Sequence, residues 1–365
     1  MIPEDLAQAV LAREDVARYL RSSHPGTNGR EHVFAYLEEL RTTQRYKFYR
    51  ALQHPLYPIL RKIERIAEHV EVVEAATRTG RVIYASNHKS HIDYLVEPLV
   101  LDDNGVRPPI IAAGINLFGG PLGLIHKHVT GAIPIRRNTK DPAYLVTLKA
   151  YVGELLRSHD LLFYPEGGRS YSGELKQPKT GLIHAALTSE LPGLSIIPTA
   201  LSYDLVLEDH ILARQRVKRT QRPFARELAE MVRYAVGYRS RAFVTFGRPI
   251  PLDGWESQSR RDVLELGKLV KVLPTSLVAA AMRPSITRRD LENRADVIID
   301  TLLAVGANLD VTTGRQAIEE AAQPLEDRGI IVAERGRFRV RDRTVLRYYA
   351  RMIEHLLASG PGRTH

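Results

Sequence analysis

Apolar residues at spacings of three and four recur in "LAQAVLAREDVARYL" (6–20) and "YPILRKIERIAEHV" (57–70), which predicts helices across residues 3–70. Pro25-Gly26 separates the first of them from the next. From about residue 78 to 250 the pattern alternates. Short apolar runs, "RVIYAS", "PIIAAG", "GAIPIRR", "LLFYPE", "SIIPTALSY" and "AFVTFG", are spaced by helical segments such as 141–158. This alternation predicts an α/β fold: a mixed, mostly parallel sheet with flanking helices. Beyond residue 259 the pattern is helical again in "SRRDVLELGKLVKVL", "TRRDLENRADVIIDTLLAVG" and "GRQAIEEAAQPLEDRG". Two alternating runs around Arg335-Gly336 then predict a hairpin, followed by a last helix over 344–358. Three regions result: an N-terminal helical region (1–75), an α/β domain (76–258), and a C-terminal helical region with a β-hairpin and a winged-helix-like order (259–365).

Composition narrows the chemistry. The 365 residues include no cysteine, which excludes disulfides, thiolate nucleophiles and Cys-bound zinc. The net charge of +10 favours anionic partners. Arginine outnumbers lysine 41 to 11, so an isolated arginine pair carries little weight. Residues 1–30 lack the continuous apolar core of a secretory leader. The longest stretch without Asp, Glu, Lys or Arg, Pro108–His126, holds three prolines and four glycines. It is expected to form a buried strand, a turn and a greasy surface that lies on a membrane rather than crossing it.

Four segments carry candidate chemistry. In "YASNHKSHIDYL" (84–95), His88 and Asp93 follow a predicted strand. Five positions of regular helix would point them about 140° apart, so they meet only if His88 precedes the helix. Asp93 would then orient His88 as a base. Two other readings stand beside it: a capping box of Ser90 with Asp93, and a metal site of His88, His91 and Asp93. In "YPEGGRSYSGELKQPKTG" (164–181), Glu166, Gly167, Gly168, Arg169 and Ser170 follow a strand end, where glycines admit a ligand to the backbone and arginine forks onto phosphate. The segment is neither a P-loop nor a nucleophile elbow. Arg136 and Arg137 end another strand, and Pro198 interrupts "SIIPTALSYD", suggesting an edge, a bulge or a pocket wall.

Together "NHKSHIDYL", "IIAAGINLFGGPLG", "GAIPIRR", "YPEGGRSYSGELKQPKTG" and "IIPTALSYD" resemble, in order and rough spacing, the glycerol-3-phosphate acyltransferases, with their dihydroxyacetone-phosphate acyltransferase relatives. The resemblance implies His88 as general base and Asp93 as its orienter. It implies a glycerol 3-phosphate site of Arg136, Arg137, Glu166, Gly167, Arg169, Ser170 and Lys179, with Pro198 in the pocket, no metal and no cofactor. The implied donor is acyl-CoA or an acylated carrier protein, and the implied location is the cytoplasmic face of an anionic membrane surface. The family's "GAFFIRR" is "GAIPIRR" here, and Tyr171-Ser172 replace its Arg-Thr, which removes one phosphate contact. "EGGRS" with "PKTG" favours glycerol 3-phosphate over lysophosphatidate as acceptor. Acyl transfer to an alcohol needs a base but no enzyme nucleophile, in keeping with the missing cysteine. The basic run "RQRVKRTQRPFAR" (214–226) suits anionic lipid, coenzyme A or an acidic carrier. A nucleic-acid-binding role for the C-terminal hairpin is the competing class; with the five blocks explained by acyl transfer, no nucleic acid is expected as a partner.

Overall fold

The computed structural model describes residues 3–22, 29–51, 63–118, 123–124, 127–187, 189, 191–218, 240–252 and 266–358. Among the described residues, eight strands form the main sheet: β1 (Ile63–Glu68), β2 (Val82–Ser86), β3 (Ile110–Gly114), β4 (Ala132–Ile135), β5 (Leu161–Phe163), β6 (Ser195–Tyr203), β7 (Ser240–Phe246) and β8 (Ile250–Pro251). Their order is β1-β7-β6-β2-β5-β3-β4, with β8 also paired to β6. Strands β4, β3, β5, β2 and β6 run parallel, whereas β7 and β8 are antiparallel to β6. The expected α/β class is therefore observed. Strands β2, β3 and β5 are fully buried, which explains their unbroken apolar runs.

One face of the sheet is covered by α1 (Pro3–Ala12), α2 (Glu14–Ser22), α3 (Gly29–Leu40), α7 (Pro142–Leu155) and α8 (Gly181–Leu187). A short α4 (Tyr46–Ala51) follows α3. The other face carries α5 (Val70–Thr79), α6 (Asp93–Asp103), α9 (Asp209–Lys218) and the C-terminal elements. Those are α10 (Leu266–Leu269), α11 (Pro274–Ala281), α12 (Arg288–Ala304), α13 (Gly314–Asp327), α14 (Arg343–Arg351), α15 (Glu354–Ala358) and a small antiparallel sheet. In that sheet, β11 (Arg337–Val340) lies between β10 (Ile331–Glu334) and β9 (Ser285–Thr287). The hairpin turn is Arg335-Gly336, both at positive φ, as its sequence requires.

Three expectations need correction. The predicted helix over 57–70 contains β1 instead; its residues 57–62 lie outside the described set. Six residues of β1 pair in parallel with β7, and Glu68 accepts Lys271 Nζ at 2.5 Å and Thr245 Oγ1 at 2.6 Å. Pairing with a strand more than 170 residues away overrides local period. The first strand of the α/β sheet thus comes from the expected N-terminal helical region. The last helix is also split, α14 ending at Arg351 and α15 starting at Glu354. Of the run 259–273, only 266–269 is helical among the described residues, and Val272 bridges to Leu309.

Candidate active site

The carboxyl ends of β2, β3, β4 and β5 open on one edge of the sheet, where parallel α/β folds bind ligands. The loop after β2 carries His88. It is not helical, since α6 begins at Asp93. His88 Nδ1 lies 2.9 Å from Asp93 Oδ2. Asp93 is fully buried, and the same oxygen accepts the backbone N–H of Lys89 at 2.6 Å and of Ser90 at 2.8 Å. Its other oxygen accepts the Tyr203 hydroxyl at 2.8 Å. The two Asp93 oxygens are surrounded by donors, so the His88 nitrogen that faces them, Nδ1, is the one that carries the proton, and Nε2 is left as the basic nitrogen. Burial is the largest influence on His88 and pushes its pKa below the usual histidine value, against the opposing pull of Asp93.

The capping reading is half realised. Asp93 reaches back to the Ser90 N–H, but the Ser90 hydroxyl donates to Glu208 at 2.8 Å. One carboxylate both steadies the helix start and orients the histidine. The His91 backbone N–H donates to Glu208 at 2.6 Å. Among the described residues, no three of His, Cys, Asp and Glu converge as a metal site.

His88 opens on a cavity of about 480 Å3. Its apolar wall includes Ala113, Leu145, Leu148, Phe163 and Leu182, and its cationic rim includes Arg137 and Lys179. The two cations crowd the glycine turn: a Cβ on Gly167 would lie 3.1 Å from Lys179 Nζ, and one on Gly168 3.4 Å from Arg137 Nη1. Gly167 has φ +69°, which glycine adopts without cost. Neither Arg137 nor Lys179 is paired with a carboxylate among the described residues. Burial lowers the Arg137 pKa, and Arg169 nearby adds to this, which makes its position receptive to an anion.

The other anticipated binding residues are placed differently. Arg136 lines the cavity but is clamped by Glu39 of α3, at 2.7 Å and 2.5 Å, and lies 4.9 Å over the Tyr36 ring. Glu166 turns inward and accepts the His88 N–H at 3.0 Å and the Lys176 N–H at 3.3 Å. Arg169 is 9% exposed and pairs with buried Glu208 at 3.6 Å. Ser170 is buried; its N–H donates to the His88 carbonyl at 3.0 Å and its hydroxyl to the Glu174 carbonyl at 2.6 Å. Glu166, Arg169 and Ser170 thus brace the loop against His88 and do not line the cavity. Pro198 is a correction too. It is buried inside β6, opposite Ala85 of β2, where the other neighbour of β6 changes from β8 to β7. A missing N–H is tolerated at that junction, and Pro198 does not line the cavity.

Several residues have no signal in the sequence. The Tyr164 ring stacks on His88 with centroids 4.2 Å apart. Its hydroxyl donates to Glu97 at 2.8 Å, and Glu97 also pairs with the Ser86 hydroxyl. Lys89, 3% exposed, donates to the Gly173 carbonyl at 2.9 Å and pins the far end of the glycine loop. Only the i+4 spacing of Glu97 from Asp93 hinted at a second carboxyl on that helix face. Burial, reinforced by Asp93, pushes the Glu97 pKa up to about 8, so it is neutral at pH 7. An acid whose folded pKa is raised loses its proton first in the unfolded chain, so its contribution to stability falls between about pH 4.5 and 8. Glu97→Gln keeps the side chain neutral. Denaturant titrations should show the variant gaining on wild type from pH 5 to pH 8; a constant difference would refute a neutral Glu97.

Residues 67–202 match the family model described as Acyltransferase. This segment contains His88, Asp93, both cationic positions and the glycine loop, so the candidate site lies within the part of the chain that matches the model. Among solved structures, the chain is similar to the 1-acyl-sn-glycerophosphate (LPA) acyltransferase from Thermotoga maritima. The identity is 15%, the TM-score 0.35, and the alignment covers 72% of this chain and 92% of that one.

Proposed function

We propose that the chain is a glycerol-3-phosphate 1-O-acyltransferase, making 1-acyl-sn-glycerol 3-phosphate (lysophosphatidate) as the first step of phospholipid synthesis. The observation that carries this reading is the His88–Asp93 pair opening on a cavity that joins an apolar wall to two cations without carboxylate partners among the described residues. His88 Nε2 takes the proton of the acceptor hydroxyl as its oxygen attacks the thioester carbonyl. A C–O bond forms, the C–S bond breaks, and the proton passes from the imidazolium to the departing thiolate. Asp93 keeps the tautomer and stabilises the transient imidazolium. Arg137 and Lys179 hold the acceptor phosphate and thereby orient its hydroxyl.

A base of this kind must be neutral. With the His88 pKa lowered by burial, kcat/KM should be flat near pH 7 and fall only in acid, below the usual histidine value near 6.5. A profile already falling below pH 8 would contradict it. A charged hydrogen bond contributes about 1.5–3 kcal/mol, so Arg137→Ala should raise KM for glycerol 3-phosphate about ten- to hundredfold. Arg136→Ala, which releases Glu39, should chiefly lower thermal stability. Equal KM effects for the two would remove the distinction between them.

The alternative acceptors are lysophosphatidate and dihydroxyacetone phosphate, which present the same phosphate and hydroxyl. The competing nucleic-acid reading is disfavoured by charge. In α13, the helix that directly precedes the hairpin, the exposed positions are Arg315, Glu319, Glu320, Gln323 and Asp327, a surface that repels phosphate. Exposed Ile115, Leu124 and Leu145 support a peripheral contact with an anionic membrane. No described helix is long and apolar enough to cross one. The run at 214–226 lies outside the described side chains apart from Arg214.

A further inference from the structure

A second pocket, of about 350 Å3, lies where the glycine loop meets the C-terminal region. It is lined by Tyr171 and Ser172 of the loop, Ala213 of α9, and Arg343, Thr344, Arg347 and Tyr348 at α14. Arg343 and Arg347 are one helical turn apart and exposed. The neighbouring acids are already neutralised by other arginines. Asp342 caps α14 and pairs with Arg214 at 3.1 Å, and Glu174 pairs with Arg351 at 2.6 Å. Arg343 and Arg347 have no carboxylate partner among the described residues. The Ser172 hydroxyl donates to Glu174 at 2.7 Å, so the donors left to a ligand are these two guanidinium groups and the Thr344 hydroxyl, a set whose geometry and charge suit a phosphate.

The pocket adjoins the reaction centre. The Ser170 N–H donates to the His88 carbonyl at 3.0 Å and Tyr171 is the next residue. The rim therefore begins within roughly 10 Å of the His88 backbone. The guanidinium of Arg169 and the ammonium of Lys176 each lie 5.7 Å from the centre of the Tyr171 ring, which fixes this wall. Lys176 also donates to the carbonyls of Gly168, at 3.1 Å, and Arg169, at 2.5 Å, so the wall of the second pocket is tied to the glycine turn of the first. The acceptor phosphate already has Arg137 and Lys179 in the first cavity. A thioester donor brings phosphate of its own.

We propose that this second pocket, between the glycine loop and α14, binds the phosphate of the acyl donor, the 4′-phosphopantetheine phosphate that acyl-CoA and acylated carrier protein share. The inference builds on the acyl-transfer reading of the first cavity. It gives the C-terminal region a part in donor recognition, and it makes Arg343 and Arg347 specificity residues distinct from those that hold the acceptor.

The test compares wild type with Arg343→Gln/Arg347→Gln on three donors: acyl-CoA, acyl carrier protein and acyl-pantetheine, which lacks phosphate. KM for acyl-CoA should rise about ten- to hundredfold in the variant, with KM for acyl-pantetheine moving far less. A rise with the carrier protein as well assigns the pantetheine phosphate itself. A rise with acyl-CoA alone assigns the nucleotide phosphates and overturns the shared form of the proposal. Unchanged KM for both phosphorylated donors overturns it entirely. Calorimetric titration with free coenzyme A separates this inference from the functional reading. Should wild type transfer no acyl group, coenzyme A binding that is lost in the variant still supports the pocket, and equal binding by both proteins rejects it.

Discussion

Replacing His88 with alanine should reduce acyl transfer by at least about 10²- to 10⁴-fold, the usual contribution of a positioned general base, and leave the fold intact. The side chain is 12% exposed and sits at the cavity edge. Its removal leaves Asp93 with three other donors, Lys89 N–H, Ser90 N–H and the Tyr203 hydroxyl, so neither buried carboxyl oxygen is left without a partner. The main lost packing is the stack on Tyr164. The variant should therefore keep its far-UV circular dichroism and a melting temperature within a few degrees of wild type. Near-normal turnover in a well-folded variant would eliminate His88 as the base. The contrast with Asp93→Ala is informative. That change orphans four donors at a fully buried position, so it should damage stability and activity together.

Deleting residues 285–365 should yield no soluble enzyme. The C-terminal elements share one continuous core with the sheet face that carries Tyr84, Leu162 and Ile197. Truncation removes α13 and α14 from α11, and α14 from α9, exposing Leu277, Val278, Leu212 and their neighbours. Each large apolar side chain returned to water costs about 1.5–3 kcal/mol, so five such residues cost roughly as much as the whole stability of a typical domain, about 5–15 kcal/mol. Polar ties are lost as well. Tyr349 donates to Asp209 at 2.7 Å, and Arg328 donates to the Val206 carbonyl at 2.5 Å. Asp209 is fully buried, and truncation removes the Arg328 guanidinium that lies 3.2 Å from its carboxyl group. Soluble expression and size-exclusion chromatography give the readout. A monodisperse, active 1–284 fragment would show that the catalytic domain stands alone.

The sheet was legible because each buried parallel strand is a short unbroken apolar run bounded by turns, and six of the eight were recognisable that way. Strand β1 was not, since "IERIAE" acquires its conformation from β7 and from Lys271, far along the chain. At the site, the spacing of His88 and Asp93 together with a preceding strand was enough to anticipate their contact. The division of labour among the cations was invisible. Arg136 and Arg137 are adjacent, and only Glu39, 97 positions away on α3, decides which of them is clamped. Arg169 likewise turns inward because of Glu208, a residue in no recognisable block. Glycine blocks specify a turn near a ligand; which side chains face that ligand is set by partners brought in from other elements.

The most direct test of the central claim is an acyl-transfer assay with purified enzyme, using acyl-CoA and acyl carrier protein as donors. Glycerol 3-phosphate, dihydroxyacetone phosphate and lysophosphatidate are offered as acceptors, with His88→Ala alongside. The expected result is His88-dependent formation of 1-acyl-sn-glycerol 3-phosphate, with the highest kcat/KM on glycerol 3-phosphate. Preferential acylation of lysophosphatidate would reassign the acceptor, and no transfer to any phosphorylated acceptor, or transfer that survives in His88→Ala, would contradict the mechanism.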